Sequence, residues 1–223
     1  MEYVLFTKTI EELKESAARY DNVIVGFSGG KDSWCCLDLC MKVFKNVTAF
    51  FMYLIPDLEC VEVELNKARQ KYGITILQYP HLLLFRCIKY GTYCDGHWKN
   101  SQAIWEPKIN DIHKAVIADT GINLICQGAK EADSMWRRRY FTINKFEQII
   151  YPLKKWQKID VLSYLKINNI PLPDSSGKNA TGVDLSTPSL LWLYDNYPND
   201  FKKLLQFFPY AEAVVKRREY YGK

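Results

Sequence analysis

Apolar positions along this chain switch between two periods, and the alternation predicts most of its elements. A first segment, "TIEELKESAARY" (9–20), has helical spacing, with Thr9 as N-cap and Glu12 three positions on. Residues 23–27 form a continuous apolar run, which suits a strand buried on both faces. Trp34, Leu37, Met41 and Phe44 then recur three or four apart and mark one face of a helix. The order repeats. Residues 47–54 read as a strand, and Leu58, Val61, Leu65, Ala68 and Tyr72 as a helix stopped by Gly73. "ITILQYP" (74–80) reads as a third strand, 109–119 as a helix, and "NLICQG" (123–128) as a fourth strand.

Strands alternating with helices predict an α/β fold: a parallel, Rossmann-like sheet with helices on both faces. Ligands of such sheets sit beyond the carboxyl ends of the strands, where residues 26–33 and 128–138 both fall. Beyond Pro152 the alternation fades. "KIDVLSYLKINN" (158–169) reads as a helix stopped before Pro171, and 171–189 as a loop rich in Pro, Gly, Ser, Asn and Asp. The remainder reads as two or three short helices divided at Pro198 and Pro209. The expected organisation is a sheet domain over 1–173 and a loop with a C-terminal helical extension over 174–223, packed on it.

Composition adds little beyond class. The chain has 223 residues, 48% hydrophobic and 25% charged, as in an ordinary soluble globular protein. A net charge of +5 permits a polyanionic partner without requiring one. Seven cysteines, at 35, 36, 40, 60, 87, 94 and 126, form no paired framework. The N-terminus lacks the design of a signal peptide, and the longest apolar run, 47–55, is too short to cross a bilayer. A cytoplasmic protein of a reducing compartment, without membrane association, is the expectation.

Chemistry enters where the first strand ends, at "GFSGGKDS". Gly29 and Gly30 let backbone approach a ligand, and successive amides in such a turn form an anion nest. The next helix adds its N-terminal amides, Lys31 a full charge, and Ser28 and Ser33 hydroxyl donors. All of this suits phosphate. It is not a Walker A loop, which needs four residues between its glycines and Ser or Thr after the lysine. Only Phe27, Ser28 and Gly29 separate Gly26 from Gly30, and Asp32 follows Lys31. An aspartate there repels phosphate unless a metal or a particular geometry offsets it.

"SGGKDS" matches the Ser-Gly-Gly-x-Asp-Ser pattern of the PP-loop ATP pyrophosphatases, the adenine nucleotide alpha hydrolase-like superfamily. "GAKEADSMWRRRY" (128–140) resembles the Gly-x-Arg-x-x-Glu-Ser-x-x-Arg signature of the phosphoadenosine phosphosulfate (PAPS) reductase family. "YPLKKWQKIDVLSYLKINNIPLP" (151–173) resembles that family's Pro-Leu-x-x-Trp…Asp-Val-x-x-Tyr-Leu…Ile-Pro segment. The resemblance implies a HUP-type sheet, and ATP or another adenine nucleotide such as PAPS with Mg2+. It implies cleavage of ATP between the α and β phosphates. It places Ser28, Gly29, Gly30, Lys31, Asp32 and Ser33 on the phosphates, with Gly128, Lys130 and Ser134 completing the nucleotide site. It gives catalytic roles to Lys31, Asp32, Arg137 and Arg138, and structural ones to Trp156 and Asp160. Lys130 stands where the family has arginine and Asp133 where glutamate is usual, and a lysine cannot reproduce a guanidinium fork.

Other parts of the pattern are missing. Sulfonucleotide reductases attack sulfur with a cysteine near the C-terminus, whereas this chain ends "KRREYYGK" and its last cysteine is Cys126. Related enzymes carry cluster-ligating cysteines where this chain reads "NATGVDLSTPS" (179–189), so no iron-sulfur cluster is expected and no metal ligand is assigned. His81, Cys87, Cys94 and His97 include a Cys-x-x-His spacing acceptable to zinc, but the six residues before it are not a standard knuckle. Loop and core roles are preferred for them.

Three functions stay open on this reading. One is an enzyme that activates a substrate with ATP, as relatives do in inserting sulfur into nucleic acid with a separate sulfur donor. Another is a sulfonucleotide reductase using a relocated thiol such as Cys94, or a partner's. The third is a non-catalytic nucleotide-binding module serving a regulatory protein partner. "AVVKRREYYGK" (213–223) suits nucleic-acid backbone and base stacking, although most such tails are solvated helix ends. Assembly as a homo-oligomer is also left open.

Overall fold

The structure, a computed structural model, describes residues 2–95, 103–143, 148–170 and 184–222. Five strands form one parallel sheet: β1 (Asn22–Gly26), β2 (Asn46–Tyr53), β3 (Ile76–Pro80), β4 (Ile125–Cys126) and β5 (Ile149–Ile150), in the order β3-β2-β1-β4-β5. Ten helices accompany them among the described residues. They are α1 (Glu2–Ala17), α2 (Lys31–Met41), α3 (Glu59–Tyr72), α4 (Leu82–Tyr90), α5 (Ile109–Thr120), α6 (Met135–Ile143), α7 (Lys158–Ile167), α8 (Thr187–Asn196), α9 (Pro198–Phe207) and α10 (Glu212–Tyr221).

The apolar run in β1 is continuous because both its faces are covered. Val23 and Val25 pack with Leu13, Trp34, Leu37, Leu65, Ala68, Val161 and Leu165, from α1, α2, α3 and α7. Ile24, between them, points the other way and packs with Phe50, Ile125, Ile112 and Val116, the last two from α5. The sheet grows outward from β1 through β2 to β3, then resumes on the other side at β4 and β5. The winding therefore reverses between β1 and β4, and the crevice beyond the strand ends at such a reversal is where open sheets bind ligands. Asp38 fixes α2, which borders this crevice. Its carboxylate accepts from Tyr72 of α3 at 2.9 Å and from Tyr164 of α7 at 2.7 Å.

Three features depart from the sequence expectation. α1 starts at Glu2, so Thr9 lies inside it, donating to the Leu5 carbonyl at 3.0 Å and accepting from Trp156 Nε1 at 3.0 Å. Leu5 and Phe6 continue the apolar stripe toward the N-terminus and override the cap signal. α4 occupies a stretch whose sequence suggests only loop and core, and β5 has no counterpart among the expected strands. Its two residues are too few to show a period.

α8, α9 and α10 break at Pro198 and Pro209 as expected. Leu190, Leu193, Phe201, Leu204, Phe208 and Val215 join Leu54, Ile55, Leu58, Leu84 and Cys87 in a separate apolar cluster. A polar bond locks this contact. Leu58, the N-cap of α3, offers no side-chain acceptor to the helix. Asp200 of α9, 1% exposed, supplies both oxygens instead, to Glu59 N at 3.0 Å and Cys60 N at 2.9 Å. Among the described residues no helix is long and apolar enough to cross a membrane.

Candidate functional site

The loop after β1 is shaped by its own small residues. Gly29 has φ 73, the left-handed region that glycine enters without cost. Gly30 is the N-cap of α2 and brings no side chain to the first-turn amides. Ser33, buried, donates to the Gly30 carbonyl at 2.8 Å and accepts from Ser28 at 3.3 Å. Ser33 is thus a brace inside the turn, while Ser28 is exposed and also lies 3.4 Å from Gly30 N.

The charged residues answer the question raised by Asp32. One carboxylate oxygen lies 2.9 Å from Lys31 Nζ, and the other 2.6 Å from Lys130 Nζ. Lys130 is 3% exposed and continues the chain of charges to Asp133 Oδ1 at 3.1 Å. Asp133 in turn accepts from the Lys130 amide at 2.9 Å. Burial acts to lower the pKa of Lys130, but hydrogen bonding and charge from Asp32, then Asp133, outweigh it and raise the pKa. Lys31, Asp32, Lys130 and Asp133 therefore alternate in sign across the crevice and tie the loop after β1 to the loop after β4. The approach is close: a Cβ at Gly128 would stand 3.2 Å from the backbone carbonyl of Asp32. Asp32 does not confront the turn as a bare anion.

The remaining residues of the motif serve the next helix. Ser134 caps α6, accepting from the Arg137 amide at 3.0 Å. Arg137 lies with its guanidinium 5.6 Å from the Trp136 ring centroid, and Arg138 and Arg139 are exposed. Ser28 to Ser33, Gly128 and Lys130 are thus brought together at one edge. Ser134, Arg137 and Arg138 follow on the adjoining helix, and none of them bonds to the 28–33 loop. Lys130, which the resemblance implies helps complete the nucleotide site, has its ammonium engaged by two carboxylates.

One neighbour of the site had no sequence signal. Gln127, just past β4, places Nε2 2.8 Å from Nε2 of the buried His113 on α5. Burial pushes the His113 pKa down, so the neutral ring accepts from Gln127. The distant His/Cys group has other duties. His81 Nδ1 accepts from Leu83 N at 3.0 Å and caps α4. Cys94 donates to the Cys87 carbonyl at 3.6 Å, and His97 lies outside the described residues. Among the described residues no three His, Cys, Asp or Glu side chains stand together as metal ligands. The cysteines are unpaired and all but Cys94 are buried. Burial raises the thiols of Cys35, Cys36 and Cys126 behind the strand-end loop.

A parallel sheet that reverses at β1/β4, with a glycine-rich, non-Walker turn at the reversal, defines a PP-loop α/β protein. Residues 22–174 match the phosphoadenosine phosphosulfate reductase domain, and the chain belongs to that family. Among curated proteins it is similar to sulfate adenylyltransferase subunit 2 of Vibrio vulnificus, at 23% identity over 75% of this chain. The match spans 64% of that relative's length. Two solved structures share the fold. The U34-tRNA thiolase NcsA from Methanococcus maripaludis superposes with TM-score 0.53 at 16% identity, covering 96% of this chain and 80% of that one. The PAPS reductase from Candida auris superposes with TM-score 0.51 at 19% identity, covering 78% and 87%.

The NcsA structure carries a 4Fe-4S cluster, which corrects the expectation that an iron-sulfur cluster is excluded. That expectation rested on missing cysteines in one loop. Cluster ligands are thiolates that any loop of the frame can present, so one loop's composition does not decide the matter.

Proposed function

We propose that this chain binds an adenine nucleotide in the crevice between β1 and β4 and cleaves ATP at the α phosphate to activate an acceptor. The observation that carries the reading is Asp32 held between Lys31 and Lys130, which neutralises the carboxylate inside the phosphate nest. The amides of residues 29–33, at the positive end of α2, then donate to the β and γ phosphates. A nucleophilic oxygen or nitrogen of the acceptor attacks the α phosphorus from the side of the β4 loop. A bond from acceptor to phosphorus forms, the bond from that phosphorus to the bridging oxygen breaks, and pyrophosphate leaves with the electron pair. Charge growing on pyrophosphate is met by the nest and by Lys31. Arg137 and Arg138, on the adjoining helix, contact the acceptor side.

Reduction of PAPS by a thiol of this chain has less support. Cys94 is the one cysteine that is not buried; it belongs to the apolar cluster around α8–α10, and burial raises its pKa. Thiolate is scarce there at neutral pH.

ATP labelled on its α phosphate, incubated with the protein, magnesium and candidate acceptors, distinguishes the readings. Labelled AMP or an adenylated acceptor is expected. Labelled ADP would sink the mechanism, and tight binding without turnover would leave a non-catalytic nucleotide-binding module. Sulfite released from PAPS by wild type but not by Cys94→Ser would establish the reductase instead.

A further inference from the structure

α6 presents aromatic and cationic groups that the fold does not use. Met135 is 87% and Trp136 64% exposed, although both are large and apolar. Trp136 is nevertheless held in one orientation: it stacks on Tyr140 with centroids 5.1 Å apart and planes 20° apart. Arg137 flanks its ring, and Arg138 and Arg139 reach solvent. The nearby acids are already matched, Asp133 to Lys130 and Glu131 to Lys154 at 3.7 Å. Among the described residues no carboxylate pairs with Arg137, Arg138 or Arg139. The basic C-terminal helix differs. In α10, Lys216 pairs with Glu212 at 3.0 Å and Arg218 with Asp195 at 2.6 Å. Much of its charge is paired within the molecule, whereas among the described residues that of α6 has no carboxylate partner.

We propose that α6 is the docking surface for an unpaired segment of RNA. A fixed, exposed indole beside unmatched guanidinium groups is complementary to a strand that offers base faces and phosphates together. Bases are unstacked and accessible in RNA loops and single strands, where aromatic rings and arginine planes take them up. One base stacks on Trp136, and Arg138 and Arg139 bond the flanking phosphates. α6 begins directly after Ser134, on the sheet edge that carries the 28–33 loop. Docking alone does not require the nucleotide site proposed above; making this RNA the activated acceptor rests on that reading.

The test is fluorescence anisotropy with a labelled, unstructured RNA of about ten nucleotides, within the span such surfaces cover. Trp136→Leu should bind it about tenfold more weakly than wild type, because the stacking face is lost. Arg139→Gln should weaken binding and flatten the dependence of log affinity on log salt by about 0.7, one phosphate contact. ATP affinity of Trp136→Leu, measured by calorimetry, should equal that of wild type. Wild type that binds ATP yet ignores RNA at about 100 µM, the scale of non-specific attachment, overturns the proposal. So does Trp136→Leu binding RNA undiminished, or duplex DNA or polyglutamate competing as well as the RNA itself. RNA binding lost in Trp136→Leu by a wild type that shows no ATP affinity keeps the docking surface and removes the nucleotide reading.

Discussion

Asp32 is the residue whose sequence context and structural context say different things. By sequence it is an anion in a phosphate loop. In the fold it bridges two lysines, one beside it and one about a hundred positions on. Lys130→Met should strip Asp133 of its cationic partner and leave Asp32 with Lys31 on one oxygen and nothing on the other. We expect a loss of about 2 kcal/mol, less than for a fully buried pair because both carboxylates keep some water. The melting temperature should drop by roughly 4–8 °C. Lys130→Arg, which restores charge but enlarges a buried head, tests whether charge or fit dominates. Lys31→Ala should weaken ATP by about 1.5–3 kcal/mol with folding intact, read by calorimetric titration. Equal affinity would take the loop out of the site. The loop itself was legible from two glycines and a lysine after an apolar run. Lys130 was placed at the same site, but its pairing with Asp32 was not legible, since an ion pair between loops leaves no local period. His113 was equally silent. Its pKa is depressed below its ordinary 6.5, so the unfolded chain takes up a proton that the folded one refuses. Stability should be full above 6.5 and decline as pH falls below it, levelling off beneath the folded pKa. His81 acts in the same sense. Melting at about pH 7.5 and about pH 5.5 should separate wild type from His113→Gln, with the smaller drop in the variant. Identical drops would mean that the ring is not the titrating group.

At the scale of elements, the alternation of strand and helix was readable along most of the sheet domain, although α4, nine residues long, was read as loop and core. β1 was found from its continuous apolar run and α3 from its helical spacing, and β2 and α5 were placed by the alternation around them. β5 is too short, and Thr9 carried a cap signal that Leu5 and Phe6 overrode by extending the buried stripe. α3 shows the converse: its spacing was clear, but its beginning is completed from elsewhere. Its first turn has no local cap and relies on Asp200, whose two oxygens take two amides. Asp200→Ala should orphan both and cost about 2 kcal/mol, at the upper end for a lost cap because the site is buried. Urea titration should show a lower midpoint at unchanged slope. A variant as stable as wild type would mean that water replaces the carboxylate.

Across the whole molecule, the helical tail is covered apolar surface rather than an ornament. Removing residues 184–222 would bare Leu54, Ile55, Leu58, Leu84 and Cys87 together. A chain ended at residue 183 should therefore aggregate or bind a hydrophobic dye strongly, judged by size-exclusion chromatography and dye fluorescence. A monodisperse, dye-silent product would show that the sheet domain is self-sufficient. The same tail also imposes an order on biosynthesis. Asp200 lies 141 positions after the amide of Glu59 that it bonds. At the ribosome's pace those positions take roughly 7–28 seconds to emerge. Throughout that interval α3 exists without its cap and the hydrophobic ground beneath α8–α10 stays open. The nascent chain therefore carries an exposed, half-finished surface for seconds, long enough for a chaperone to find it, and it closes only when α9 with Asp200 has left the exit tunnel.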